Sequence, residues 1–397
     1  MMKYRVECLT PVLVSDGATL SPIDYMVWKD QVNVLDQRKI FRLLAKGPRL
    51  DSYLNQVKRA QKLDFASWGG FAQNFAGRRI AFEHASIATQ WERQSADDCH
   101  IPTFARTQDG SYLPGSSLRG ALRTALVSAR LDEKAIEQFS ETMDSDGPLR
   151  RPGDALEQRA LANEGGRGGW DPLKAFAVSD SQAVASSATK VFLVRVASLA
   201  ESRDPKTQAA RPFSLVWKQA KGGSVDARRV DDSTPVFAEM AAPGSVFEGS
   251  WTERGFYRKG EIRHVLRWRD LDLRKMMIEA ANAYAGGILA EHRRFAASAG
   301  LTALDASLAA LESLLAAAQA AGNSCLLNIG WGGGLLGKVA WPVSAPGAEV
   351  SHRRILAAQA VWARAIRTGM PFPKTRRIVF MQGQPAVLAG WVNLVLS

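Results

Sequence analysis

Hydrophobic and polar positions alternate over residues 3–14, which is the period of a β-strand. Asp16-Gly17 marks a turn, and residues 25–35 read as two short strands around Lys29-Asp30. Helical periodicity then fills residues 38–62. Residues 64–99 show no clear period and read as an irregular insertion carrying Arg78-Arg79. After the turn Leu113-Pro114-Gly115-Ser116-Ser117, six residues form an apolar stripe at helical spacing: Leu118, Ala121, Leu122, Ala125, Leu126 and Ala129. Ser116 or Ser117 is expected to cap that helix. Arg119, Arg123 and Arg130 fall within about 40° of one another on a different face.

Further along, residues 157–169 form a polar, glycine-containing stretch, and 176–178 and 191–196 read as strands. Residues 201–233 turn polar around Lys221-Gly222-Gly223 and read as an arm projecting from a second domain. Strands over 236–240 and 245–251 are joined by Pro243-Gly244. Two long helices over 271–297 and 302–321, a short helix around 353–367 and a closing strand over 392–396 complete the chain. Parallel βα units never alternate for long, so the pattern predicts an α+β fold with antiparallel sheets. A length of 397 residues suits two domains, here 1–185 and 186–397.

Composition adds a direction. Lys and Arg number 51 against 39 Asp and Glu, a formal net charge of +12, which favours a nucleic acid or another anionic surface as partner. No run of 18 apolar residues occurs, so no membrane span is expected, and the N-terminus carries no signal-peptide core. Cys8, Cys99 and Cys325 are far apart without a C-x-x-C pair, which points to a reducing cytoplasm and away from structural zinc. None of the 5 histidines stands in an H-x-x-x-H arrangement. Neither a metal nor a cofactor is expected, and the expected location is cytoplasmic.

The densest local signal is Asn328-Ile329-Gly330-Trp331-Gly332-Gly333-Gly334-Leu335-Leu336-Gly337-Lys338, entered from the apolar run Cys325-Leu326-Leu327. A turn this rich in glycine lets backbone N–H groups face an anion, and Lys338 adds a full charge. A nucleotide, a polynucleotide or a bare chain reversal would each suit it. Gly332, Gly337 and Lys338 fit part of a P-loop. However, Val339 stands where Ser or Thr would hold Mg²⁺, and Pro342 follows where the phosphate-facing helix would run.

The stretch from Leu113 to Arg123 resembles the PGSSLKGALR-type signature of RAMP proteins, and residues 330–338 resemble their C-terminal glycine-rich loop. The opening (Leu9-Thr10-Pro11, Gly17, Leu20-Ser21-Pro22-Ile23-Asp24-Tyr25) and the close (Pro373-Lys374-Thr375-Arg376-Arg377, Gly390-Trp391-Val392) narrow the match. They are similar to the family of fifth Csm subunits, which cap type III-A CRISPR complexes at the crRNA 3′ side. The resemblance implies two ferredoxin-like (RRM-like) RAMP domains and a non-catalytic role. Residues 1–185 would form the first, with an insertion over 64–99. Residues 186–397 would form the second, with the arm and the glycine loop.

It also implies crRNA, and target RNA paired to it, as partners. The repeated RAMP backbone subunit and the small helical subunit would join them, with host trimming nucleases a further candidate. RNA contact is expected at Gly115, Ser116, Ser117, Arg119 and Arg123. It is expected again at Gly330, Trp331, Gly332, Gly333, Gly334 and Lys338, and at Lys374, Arg376 and Arg377. The arm, with Arg203, Lys206, Arg211, Lys218, Lys221, Arg228 and Arg229, is expected to act as a thumb-like hairpin on the guide–target duplex. A Cmr-type capping subunit is the neighbouring alternative.

An endoribonuclease is the alternative of a different class. Its acid–base candidates are His100, His352, Asp16 and Asp24. Asp16 before Gly17 is the usual turn residue, and no two of the four stand at a spacing that demands catalysis.

Overall fold

The computed structural model describes residues 2–45, 47, 49–59, 61–63, 72–131, 156–157, 160–161, 172–202, 212–219, 226–265, 272–340 and 370–397. Its strands in chain order are β1 (Met2–Cys8), β2 (Thr19–Leu20), β3 (Tyr25–Trp28), β4 (Gln31–Leu35), β5 (Ala76–Ala81), β6 (Ile101–Pro102), β7 (Phe176–Val178) and β8 (Thr189–Glu201). They continue with β9 (Phe213–Trp217), β10 (Val236–Ala241), β11 (Val246–Glu253), β12 (Ser324–Asn328), β13 (Thr375–Met381), β14 (Gln384–Leu388) and β15 (Trp391–Leu396). The helices are α1 (Gln37–Leu44), α2 (Arg49–Lys58), α3 (Ala72–Phe75), α4 (Ala85–Glu92), α5 (Gly115–Arg130), α6 (Gly260–Val265), α7 (Leu273–Ala299) and α8 (Thr302–Ala321).

The expected α+β class with antiparallel sheets is what the chain forms. One sheet runs β12-β15-β1-β11-β7 and a second runs β10-β8-β13-β14, with β9 also paired to β8. Every pairing in both sheets is antiparallel. In β1, Tyr4, Val6 and Cys8 are buried at a period of two, as a half-buried strand requires. β8, an interior strand with β10 and β9 on one side and β13 on the other, is instead buried on both faces over most of its 13 residues, with β5 and the helix Leu273–Ala299 packed against it. The first sheet joins strands from both ends of the chain: Val6 pairs with Leu394 of β15.

α7 and α8 follow from long apolar periods and stop at Gly300 and Gly322, each left-handed with φ near 70°. α7 packs on α5, α8 and β12. One contiguous core runs through both sheets and these helices. A satellite core of Met26, Leu35, Ile40, Leu44, Tyr53, Leu63 and Phe75 sits under the three-stranded sheet β3-β4-β5. That unit is fastened to the second sheet by Arg78, whose guanidinium grips the fully buried Glu239 carboxylate at 2.5 and 2.9 Å.

The region expected to be irregular over 64–99 holds β5 and α4 within its described part. β5 escapes a local reading because AGRRIA has a short apolar content and gains its place by pairing with β4. The hairpin β13–β14 was likewise unforeseen. Its two-residue turn, Gln382-Gly383, has both residues at positive φ (51° and 79°), the geometry that matches strand twist. Of the expected arm, β9 lies along β8 and Trp217 exchanges both backbone hydrogen bonds with Ala227. Arg203, Lys206, Arg211 and the Lys221-Gly222-Gly223 centre lie outside the described residues. So do His352, Pro342 and the helix expected around 353–367.

Candidate nucleic-acid interface

β12 delivers the chain into the glycine-rich loop. Ile329 N–H donates to Gly390 O at 2.8 Å, and Trp331 N–H donates to Leu13 O at 2.7 Å, so the loop is stitched to two neighbouring segments. Gly330 has φ of 73° and lies against the Leu13 carbonyl, where any Cβ would overlap it. Gly333 and Gly337 both lie against the Asn328 side-chain oxygen, where a Cβ would collide. The Asn328 side chain is itself fixed, donating from Nδ2 to Ala389 O at 3.1 Å. Part of the glycine content therefore serves to wind the loop around Asn328.

The loop faces the start of β13 across a cavity of about 240 Å³. Gly332, Gly333 and Gly334 of the loop, Thr375, Arg376 and Arg377 of β13, His292 of α7 and Asn328 all line it. Among the described residues that line it, none is Asp or Glu.

Alternation along β13 sends the two arginines to different surroundings. Arg377 is exposed, and its guanidinium stands 4.9 Å from the centre of the half-buried Trp331 ring, a cation–π contact joining strand to loop. Arg376 is only 6% exposed. Its Nε donates to His292 Nδ1 at 2.9 Å, its Nη1 donates to the carbonyls of Thr375 (2.9 Å) and Pro373, and its guanidinium lies 4.8 Å from the Phe295 ring centre. Burial lowers the Arg376 pKa to about 10, against the opposing pull of Glu291. Burial, and then Arg376 itself, holds His292 well below the usual histidine value, so its ring is neutral at pH 7. Arg376, expected to contact RNA as one of a basic cluster, is enclosed, because α7 lays His292 and Phe295 over it. Lys374 is half-buried, its carbonyl accepting from Leu199 N–H at 2.9 Å, while Lys338 is exposed.

The other expected region, at the start of α5, is arranged differently. The residue preceding the helix is Pro114, and no side chain of its own caps it. The expectation of a serine cap is corrected: Gly115 N–H donates to the Asp180 carboxylate at 2.8 Å. Gly115 is also pressed on the Ser179 backbone, 2.5 Å from where a Cβ would stand. Ser116 is exposed and Ser117 half-buried. Arg119 reaches the Leu173 carbonyl at 3.1 Å, and Arg123 pairs with Glu157 at 2.7 Å. A carboxylate thus occupies the helix N-terminus, and both arginines are engaged within the protein. β12 and β7 are opposite edges of the first sheet, so loop and helix start are separated by four strand spacings, roughly 19 Å at ~4.8 Å each.

The three acid–base candidates among the described residues meet local backbone. Asp16 accepts from Ala18 N–H at 3.0 Å, Asp24 from Ser21 N–H at 2.7 Å, and the exposed His100 ring meets Asp97 O at 3.2 Å. Sequence reasoning missed His292, and it quoted Asn328 only as the first residue of the glycine-rich stretch, without its role in holding the loop. The one clue to His292 was an imidazole standing on the apolar face of a helix rich in Ala, Ile and Leu. Among the described residues no helix is long and apolar enough to cross a membrane.

No family model matches the chain. A curated protein of Methanocaldococcus jannaschii, described as CRISPR system Cms protein Csm5, is 22% identical over 177 residues. That match takes in 41% of this chain and spans 39% of the relative's length. Among solved structures, a chain of the Csm–crRNA–target RNA ternary complex of a type III-A CRISPR-Cas system superposes with a TM-score of 0.61 at 18% identity, covering 100% of both chains. The crystal structure of T. onnurineus Csm5 superposes with a TM-score of 0.59 at 18% identity, covering 98% of this chain and 99% of that one. The resemblance drawn from the separated motifs is met by these relatives: the chain is similar to Csm5 in sequence over 177 residues and shares the fold of the T. onnurineus Csm5 structure over 98% of its length.

Proposed function

We propose that the chain is a non-catalytic RNA-binding subunit of a type III-A (Csm) CRISPR complex that caps the crRNA 3′ region. The observation that carries this reading is the cavity where glycines 332–334 face Arg376 and Arg377 with no carboxylate in its described lining. A cavity lined by glycine backbone, two arginines and the apolar Val196, Leu335, Leu336, Pro373 and Leu388, without acidic groups, suits a ribose-phosphate chain and is indifferent to base identity. The net charge of +12 and the Csm relatives support it from independent directions. Guide RNA, target RNA paired to it, the repeated backbone subunit and the small helical subunit are the partners this role calls for.

The test is binding and cleavage of a labelled single-stranded RNA by the full chain, comparing wild type with an Arg377→Ala/Lys338→Ala variant. Salt-sensitive binding that weakens in the variant, without cleavage, supports the capping role. Cleavage that survives purification and is abolished by His100→Ala or Asp24→Ala overturns it in favour of a nuclease.

A further inference from the structure

The satellite unit carries a short helix, α1, whose inner face is settled and whose outer face is not. Ile40 and Leu44 are buried in the satellite core, and Asp36 caps the helix by accepting from the N–H groups of Arg38 and Lys39 at 3.0 and 3.2 Å. Arg38, Lys39, Phe41, Arg42 and Leu43 are all exposed, and no residue within the helix is Asp or Glu. Arg38 and Lys39 stand in the first turn, where the helix dipole disfavours cations. Arg38 and Arg42 stand four positions apart, about 40° from one another, the spacing at which like charges repel. Lys39 has Asp36 at 3.9 Å, whereas among the described residues the Arg38 and Arg42 side chains have neither an ion-pair nor a hydrogen-bond partner.

Phe41 lies about 60° from Arg38 around the helix, so the ring and the two arginines share one side. The ring meets Tyr53 in a T-shaped contact at 6.0 Å and is still 47% exposed. The repelling arginines and the exposed ring are relieved together by one kind of ligand, a string of phosphates whose bases offer their flat faces. Bases free to stack on a side chain belong to a single strand. A lipid surface fits less well. Phe41 and Leu43 stand about 160° apart, on opposite shoulders of the charged face, so α1 turns no apolar face outward.

We infer that the outer face of α1, through Arg38, Phe41 and Arg42, is a second binding surface for single-stranded RNA. Arg38 and Arg42, ~6 Å apart along the helix axis, take phosphates, and Phe41 takes the face of a base. This surface goes beyond the glycine-loop cavity and does not depend on it. The described lining of that cavity comes from residue 196 onward, whereas α1 belongs to the β3-β4-β5 unit.

The test compares the full chain with Arg38→Gln/Arg42→Gln and Phe41→Ser variants, beside the Arg377→Ala/Lys338→Ala variant of the loop. The α1 variants keep Asp36, Ile40 and Leu44, and circular dichroism checks their fold. Affinity for a labelled single-stranded RNA is read across a salt series, with a duplex RNA and vesicles of anionic lipid alongside. The arginine variant should bind the single strand several-fold more weakly, with a salt slope lower by about two phosphates' worth. Phe41→Ser should weaken binding about five- to tenfold at an unchanged slope. These losses beside a loop variant that binds like wild type uphold the α1 surface while the loop reading fails. Unchanged affinity and slope in both α1 variants, with loss in the loop variant, overturns the α1 surface and leaves the loop reading standing. Wild type that binds no RNA overturns both. A duplex bound as tightly as the single strand, and equally weakened by Phe41→Ser, overturns the single-strand assignment. Losses confined to vesicles overturn the RNA surface in favour of lipid. Should the α1 variants unfold, ultraviolet cross-linking of wild type decides: RNA attached to the peptide holding Phe41 supports the surface, and attachment elsewhere only overturns it.

Discussion

The Arg377 guanidinium lies 4.9 Å from the centre of the Trp331 ring, so the glycine-rich loop and β13 are clasped by one exposed cation–π contact. Replacing Arg377 with Ala removes a cation from the cavity wall and the clasp together. Its effect on stability should stay within about 1 kcal/mol, since exposed cation–π contacts are worth about that. RNA affinity should fall several-fold, and the salt slope should drop by about one phosphate's worth. Filter binding across a salt series reads both. An unchanged slope would place the phosphate elsewhere.

Gly333 sits where a Cβ would run into the Asn328 side-chain oxygen, which is held in turn by its bond to Ala389. Gly333→Ala should therefore destabilise by about 1–3 kcal/mol through overpacking, measured by urea unfolding. Gly334→Ala tests a different cost, because its Cβ meets open space while φ is 71°. It should cost only about 1–2 kcal/mol of stability, as added backbone strain.

Glu239 is completely buried and takes two bonds from Arg78 and one from Thr189 Oγ1 at 2.9 Å. Arg78→Ala leaves that carboxylate without its hydrogen-bonded cation, with only the longer-range attraction of Arg106 remaining, and should cost about 3 kcal/mol. Because Arg78 belongs to β5, proteolysis should expose the β3-β4-β5 unit before the main sheets. Simultaneous loss of every unit would argue against a local role.

The thiols of Cys8, Cys99 and Cys325 are free and buried, and burial raises them to about 12, 11 and 12. At pH 8 the folded protein should react with none of them over minutes, and with all after unfolding, as a colorimetric thiol assay would read. The folded state holds these protons more tightly than the unfolded chain, whose thiols titrate at about 8.5. Their contribution to stability is thus intact below that pH and is lost as pH climbs towards the folded values. Denaturation midpoints measured from pH 8 to 11 should fall steadily. A flat profile would contradict the burial.

Elements driven by local periodicity were legible: α7, α8, the closing strand, and the pair of strands around Lys29-Asp30. What escaped reading was set by partners distant in sequence. Pro373-Lys374-Thr375-Arg376-Arg377 looks like a surface cluster, because nothing within it announces that His292 and Phe295 will cover Arg376. Ser116 and Ser117 look like caps, because the carboxylate that meets Gly115 belongs to Asp180, 65 positions away. The glycine loop was found by composition alone, yet its tie to Asn328 emerges only when loop and strand are seen together.

β15 lies between β12 and β1, inside the first sheet rather than at its rim. The chain therefore synthesises its edge strands and helices long before the piece that joins them. Until residues 391–396 arrive, β1 and β12 present unpaired backbone to one another across a strand-wide gap. A nascent or truncated chain lacking those residues should be a substrate for chaperones and proteases, and these six residues hold together far more of the fold than their number suggests.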